Sequence, residues 1–115
     1  MSKIVLVADD EGLLRRLIER ILMKNGYTVV LAKDGEEALK QLEKHSIDIA
    51  LLDVNMPKRS GLSVLETIQA TYPTVRTIVT SGDIDSVYSH DASKRPSVYL
   101  AKPFRMEQLL GILYE

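Results

Sequence analysis

The chain has 115 residues, 45% hydrophobic and 27% charged, with a formal net charge of -1; this length suits one domain, 1–115, with a real hydrophobic core. The charge balance supplies no basic field for direct binding of nucleic acid or an anionic membrane, and the lack of cysteine excludes disulfides and thiol chemistry. The first apolar run, Ile4 to Ala8, is too short for a membrane span or signal peptide, so a cytoplasmic protein without membrane insertion is expected.

That run is continuous and rich in branched residues, as a parallel strand covered on both faces would be. After it, Leu13, Leu14, Leu17, Ile18, Ile21 and Leu22 recur at helical spacing until Asn25-Gly26 stops the helix. Tyr27 to Ala32 reads as a second strand. Asp34-Gly35 opens a second helix whose buried face would be Ala38, Leu39 and Leu42. Ile47 to Leu52 makes a third strand ending at Asp53, and Val54 to Ser60 a loop before Gly61 and a third helix that runs to Tyr72. Val75 to Thr80 is a fourth strand ending at Ser81, Val98 to Ala101 a fifth ending at Lys102-Pro103, and Met106 to Leu113 a closing helix. Five strands alternating with helices predict an α/β fold, a parallel sheet with helices on both faces. Gly82 to Pro96 carries no sustained apolar stripe, so the fourth helix is expected to be short or irregular, one or two turns centred on Asp85 to Ser89.

On this map Asp9 and Asp10 end strand one, Asp53 strand three, Ser81 strand four and Lys102 strand five. In an open parallel sheet the carboxyl ends of the strands form the ligand crevice. Any one of these residues could be an ordinary solvated terminus; five together are poorly explained that way. Three carboxylates at about 4 Å and an effective dielectric near 20 repel by roughly 4 kcal/mol per pair. Either one of them protonates or a hard divalent cation joins them. A loop carbonyl after Asp53 favours the cation, Lys102 offers a charge for a phosphate oxygen, and Ser81 a hydroxyl donor. Such a set suits phosphoryl transfer, with Asp53 able to form an acyl phosphate.

The stretches "VADDE", "LLDVNMPKRSGLSVL", "VTSGD" and "YLAKPF", in this order and spacing over nearly the whole chain, resemble the receiver domain of two-component response regulators, closest in layout to the single-domain chemotaxis type. The resemblance implies a doubly wound, flavodoxin-like sheet in the order 2-1-3-4-5. It implies that Asp53 is phosphorylated by a partner histidine kinase or phosphotransfer protein, and that Mg²⁺ is held by Asp10, Asp53 and the Asn55 carbonyl, with Asp9 helping through a water. Ser81 takes the switch position, Lys102 meets the phosphoryl group, and Tyr99 swings inward when Ser81 moves. Asn55 and Asp83 flank the phosphoryl group and modulate it, and the bond before Pro103 is cis, which X-Pro bonds tolerate. The chain would accept a phosphoryl group and assist its own phosphorylation and dephosphorylation without being an enzyme in the turnover sense. Output would pass to a downstream target protein or a fused effector. The departure is Lys94-Arg95-Pro96-Ser97, where the family has a Gly-Ala type loop; the output surface there is either reshaped or mobile until a partner orders it.

Other polar residues have plainer readings. Glu11 is a helix-start charge, Asp34 a helix cap, His45 and His90 surface residues, and Lys58-Arg59 solvent-facing. Three rival functions are a phosphorylation-independent interaction module, a Mg²⁺-dependent aspartyl phosphatase and a flavin-binding doubly wound protein. Against the phosphatase, Asp53-Val54-Asn55 lacks a second acid two residues on; against flavin, the first strand leads into acids instead of a phosphate-cradling Gly/Ser/Thr turn.

Overall fold

The computed structural model describes residues 2–114; Met1 and Glu115, the two ends of the expected domain, lie outside them. Five strands, β1 (Ile4–Ala8), β2 (Thr28–Ala32), β3 (Ile49–Asp53), β4 (Arg76–Ser81) and β5 (Val98–Ala101), alternate with α1 (Gly12–Lys24), α2 (Gly35–Lys44), α3 (Gly61–Thr71), α4 (Ile84–Val87) and α5 (Met106–Tyr114). All neighbours pair in parallel in the order β2-β1-β3-β4-β5, the expected topology. The ladders run slightly later than the apolar runs. Ile47 is buried, yet its N–H turns back to His45 O, so β3 pairs only from Ile49 and carries the ladder through Asp53, which faces Thr80.

Strand alternation divides the core in two. Val5, Val7, Leu51, Ile78 and Leu100 pack under Ile18 and Leu22 of α1 and Leu109 and Leu113 of α5. Leu6, Ala8, Ala50, Leu52 and Val79 pack under Ala38 and Leu42 of α2 and Val64, Leu65 and Ile68 of α3. Each large aliphatic side chain fully withdrawn from water contributes about 1.5–3 kcal/mol, which ties both helical layers to the sheet. The α1 stripe is narrower than its spacing suggests: Leu13 is 90% exposed and Leu17 45% exposed. Those two side chains line an open concavity on the flank of the helix, with Leu31 of β2 and Arg16, Glu19 and Arg20 of α1.

The Gly82–Pro96 segment is built from two short turns. One turn, α4, is followed by a 3-10 turn at Ala92–Lys94. Asp83 caps the first by accepting from Ser86 N–H, and Asp91 caps the second by accepting from Ser93 N–H. The Ser93 hydroxyl, with its N–H, holds the Asp91 carboxyl below the usual carboxylate range. Arg95 ties the turns together: its Nε donates to Ser89 O at 2.7 Å, its Nη2 to His90 O at 3.3 Å, and its guanidinium lies 4.6 Å from the Tyr88 ring centre. The Gln69 amide in turn donates to Arg95 O at 2.8 Å, which docks the segment on α3. Arg95→Ala is expected to remove about 1–2 kcal/mol of local stability. Hydrogen exchange should read this as roughly tenfold faster opening at the Ser89 amide, with β1 and β3 amides unchanged; equal rates at Ser89 would show that Arg95 does not organise the segment.

Candidate functional site

The sheet order changes direction between β1 and β3: the chain moves outward to β2, then returns to build β3 on the other side of β1. Helices leave the sheet on opposite faces there, so a crevice opens at the carboxyl ends of those two strands. Asp9 follows β1 and Asp53 ends β3; both are 4% exposed. Asp10 is exposed, and one carboxylate oxygen from each of Asp9, Asp10 and Asp53 lies within 4.8 Å of the others.

Lys102 arrives from the end of β5, positioned by its N–H donating to Ser81 O at 2.8 Å. Its ammonium lies 3.1 Å from Asp9 Oδ2, 3.4 Å from Asp53 Oδ2 and 3.7 Å from Glu11 Oε1. Burial alone would lower the Lys102 ammonium, but the Asp9 hydrogen bond and the carboxylates of Asp53, Asp9 and Glu11 outweigh it and raise it. The Asp53 carboxyl moves the opposite way from most paired acids: burial, reinforced by the Asp9 carboxylate, pushes it up to about 6, against the pull of Lys102 and the Asn55 N–H. That N–H reaches Asp53 Oδ1 at 3.3 Å. The peptide between Lys102 and Pro103 is cis, as expected.

The donor set fits Mg²⁺. Asp9, Asp10 and Asp53 bring three hard carboxylate donors to one point, and a single nearby ammonium leaves them with net negative charge to be neutralised. No nitrogen or sulfur ligand is among them, which suits Mg²⁺ and not zinc. A groove of 330 Å³ lined by Glu11, Leu14, Lys102, Pro103 and Phe104 opens beside the cluster.

Ser81 and Tyr99 share a face. In the β4–β5 register Val79 faces Tyr99 and Ser81 faces Ala101, so alternation places Ser81 and Tyr99 on the α3/α4 side, one pleat apart. Ser81 Oγ accepts from Asp83 N–H at 3.0 Å, and the Tyr99 hydroxyl accepts from Ser89 N–H at 3.2 Å while its ring lies 5.5 Å from that of Tyr88. Asp83 is thus placed by the structure as the α4 cap, two residues beyond Ser81.

The reading of Glu11 changes. Glu11 occupies the N-cap position of α1 but makes no side-chain cap hydrogen bond; its carboxylate reaches across to Lys102 instead. Lys58 is exposed, as expected. It adopts φ 67, and its ammonium lies 3.7 Å from Asp34 Oδ2, linking the loop after β3 to the cap of α2, where Asp34 Oδ1 accepts from Glu37 N–H. Arg59 donates from Nη1 to Ser63 Oγ at 3.4 Å. His45 and His90 are exposed, and His90 stands edge-on to Tyr88. One contributor carried no sequence signal: Arg15, whose Nη1 donates to Asp9 O at 2.7 Å; Gly61, inside the stretch "LLDVNMPKRSGLSVL", lies directly against the Asp53 main chain.

Comparison with known proteins places this geometry among relatives. The family model described as "Response regulator receiver domain" matches residues 5–114. Response regulator MprA of Mycobacterium ulcerans is 39% identical over 113 residues, covering 96% of this chain and 48% of the relative. Transcriptional regulatory protein CpxR of Escherichia coli K12 is 38% identical over 113 residues, covering 96% of this chain and 47% of the relative. The chain therefore spans about half the length of the curated relatives it matches. Among solved structures, the chemotaxis response regulator CheY4 of Vibrio cholerae superposes with a TM-score of 0.89 at 28% identity, covering 99% of this chain and 98% of that one. The response regulator TrrA of Thermotoga maritima, solved in complex with Mg²⁺-BeF, gives a TM-score of 0.85 at 33% identity over 97% of this chain and 96% of that one.

Proposed function

Because the chain belongs to the receiver domain family of two-component response regulators, we propose that it is a phosphoacceptor switch in which an Asp53 carboxylate oxygen takes a phosphoryl group from a partner's phosphohistidine. The observation that carries the reading is the meeting of Asp9, Asp10, Asp53 and Lys102, drawn from three strand ends, at one crevice. In the transfer a bond forms between the Asp53 oxygen and phosphorus, the phosphorus–nitrogen bond breaks, and its electron pair returns to the imidazole. With the Asp53 carboxyl at about 6, it is mostly ionised at neutral pH and able to attack.

Asp10 and Asp53, with the Asn55 carbonyl and an outer contribution from Asp9, would hold Mg²⁺, which when bound spreads the negative charge of the phosphoryl oxygens. Lys102 already spans Asp9 and Asp53; turning toward a phosphoryl oxygen, it forms a charge-assisted bond absent before transfer. Ser81 exchanges its acceptor role toward Asp83 N–H for donation to the phosphoryl group, and Tyr99, on the same face, follows inward. Contacts made in only one state bias a pre-existing equilibrium by their differential free energy. The altered surface around α4, β5 and α5 would be read by a target protein or a fused effector domain. No helix among the described residues is long and apolar enough to cross a membrane.

With Mg²⁺ and acetyl phosphate, the intact protein should gain the mass of one phosphoryl group, and Asp53→Asn should gain none. An unlabelled wild type would support the rival reading, a phosphorylation-independent interaction module; equal labelling of Asp53→Asn would move the acceptor elsewhere.

A further inference from the structure

Asp9 is held at every polar group it has. Its N–H donates to Ala32 O at 3.1 Å, its Oδ1 accepts from Glu11 N–H at 2.9 Å, its Oδ2 from Lys102 at 3.1 Å, and its carbonyl from Arg15 Nη1 at 2.7 Å. Asp10 is the opposite case. It is exposed, and it forms no hydrogen bond or ion pair of its own among the described residues. Its carboxylate is nevertheless within 4.8 Å of those of Asp9 and Asp53. Only the backbone can hold it there.

The peptides on either side are held through the Asp9 and Glu11 N–H groups, by Ala32 O and Asp9 Oδ1, and the Asp9–Asp10 peptide itself takes one hydrogen bond among the described residues, at its carbonyl. The peptide between Asp9 and Asp10 is a rigid plane, so fixing the Asp9 carbonyl also fixes the direction in which the Asp10 Cα and side chain leave it. Arg15 supplies that hydrogen bond from one turn inside α1. Its half-buried guanidinium folds back over Gly12, where even an added Cβ would stand 3.8 Å from Nη2. Neither a Glu11 side-chain cap nor an acidic residue in the first turn of α1 shares the task.

We propose that Arg15 is a positioning residue for the acid cluster, holding the Asp9–Asp10 peptide so that Asp10 faces Asp9 and Asp53. The inference rests on the reading of that cluster as a Mg²⁺ site. Its sign separates it from plain electrostatics. Removing a cation beside three carboxylates should by Coulomb's law tighten a divalent cation, whereas loss of positioning should weaken it.

The test is Mg²⁺ binding by isothermal titration calorimetry to the wild type, Arg15→Met and Arg15→Lys, with urea unfolding in EDTA run on each. Arg15→Met is expected to weaken Mg²⁺ about tenfold, within the range for residues that orient metal ligands from behind. Arg15→Lys should recover part of the loss, since an ammonium can donate to the same carbonyl. Affinity in Arg15→Met equal to or tighter than wild type overturns the proposal. Should Arg15→Met unfold, Arg15→Gln gives the same comparison with a polar side chain. A wild type that does not bind Mg²⁺ overturns the metal reading and this inference together; a wild type that binds, matched by its Arg15 variants, overturns the inference alone.

Discussion

Asp53→Asn should make the metal-free protein more stable at pH 7.5, by up to about 3 kcal/mol at about 1.4 kcal/mol for each tenfold difference in proton affinity. The folded chain holds the Asp53 proton with a pKa of about 6, against 3.8 for the ordinary carboxyl. Between those values the folded state binds more protons than the unfolded one, so wild-type stability falls as pH rises from about 4 to about 6. Above that window the buried carboxylate exerts its full destabilising effect; below it the group is neutral in both states and the effect vanishes. Asparagine keeps the shape and removes the charge. Urea unfolding in EDTA from pH 4 to pH 8 should therefore show the two proteins close together at the acid end, separating as the pH rises to about 6, and keeping a constant gap above it. A gap that widens toward acid would contradict the buried-charge account. Added Mg²⁺ should narrow the difference from the other side, because a ligand at 100 times its Kd stabilises the folded state by about 2.7 kcal/mol, and the variant lacks one of the carboxylates.

Gly61→Ala should be among the most damaging small substitutions in the chain, removing about 3 kcal/mol or more, at or above the upper end of ordinary overpacking. A Cβ at this position would press on the Asp53 carbonyl oxygen, 2.8 Å from the carbonyl carbon and 3.1 Å from Val54 Cα. All three are main-chain atoms at the end of β3, so no rotamer change relieves the clash. Gly61 N–H also donates to Val54 O at 3.1 Å, closing the loop that begins at Asp53. The methyl group would have to push the end of β3, and Asp53 with it, away from Asp9 and Lys102. Loss of stability and loss of labelling by acetyl phosphate should appear together. Gly111→Ala is the matched control: Gly111 lies within α5 with nothing within 4 Å of an added Cβ, so the same change there should stabilise by about 1 kcal/mol. A Gly61→Ala protein within 1 kcal/mol of wild type would show that the loop yields more readily than its packing indicates.

These residues mark where reading the sequence works. Asp9, Asp10, Asp53, Ser81 and Lys102 are legible because each directly follows or ends an apolar run, and parallel topology brings every such terminus to one edge. The weak periodicity of Gly82 to Pro96 likewise announced a short α4, and the structure has a single turn there. Leu13 and Leu17 mislead by the same logic: spacing places them near the apolar stripe, but how far the stripe is covered depends on which neighbouring elements close over it.

By itself the sequence determined the strand-helix alternation, the two-sided burial of β1 and β3, and which chemical groups reach the crevice, because these follow from local hydrophobic pattern and chain order. Only the tertiary structure decided that Glu11 turns to Lys102, that Arg15 grips the Asp9 carbonyl, that Arg95 gathers the segment around Tyr88, and that Gly61 has no space for a methyl group. Those outcomes depend on the approach of atoms from different elements, or on space left by a neighbouring main chain. Neither quantity has a period or a residue type that marks it in advance.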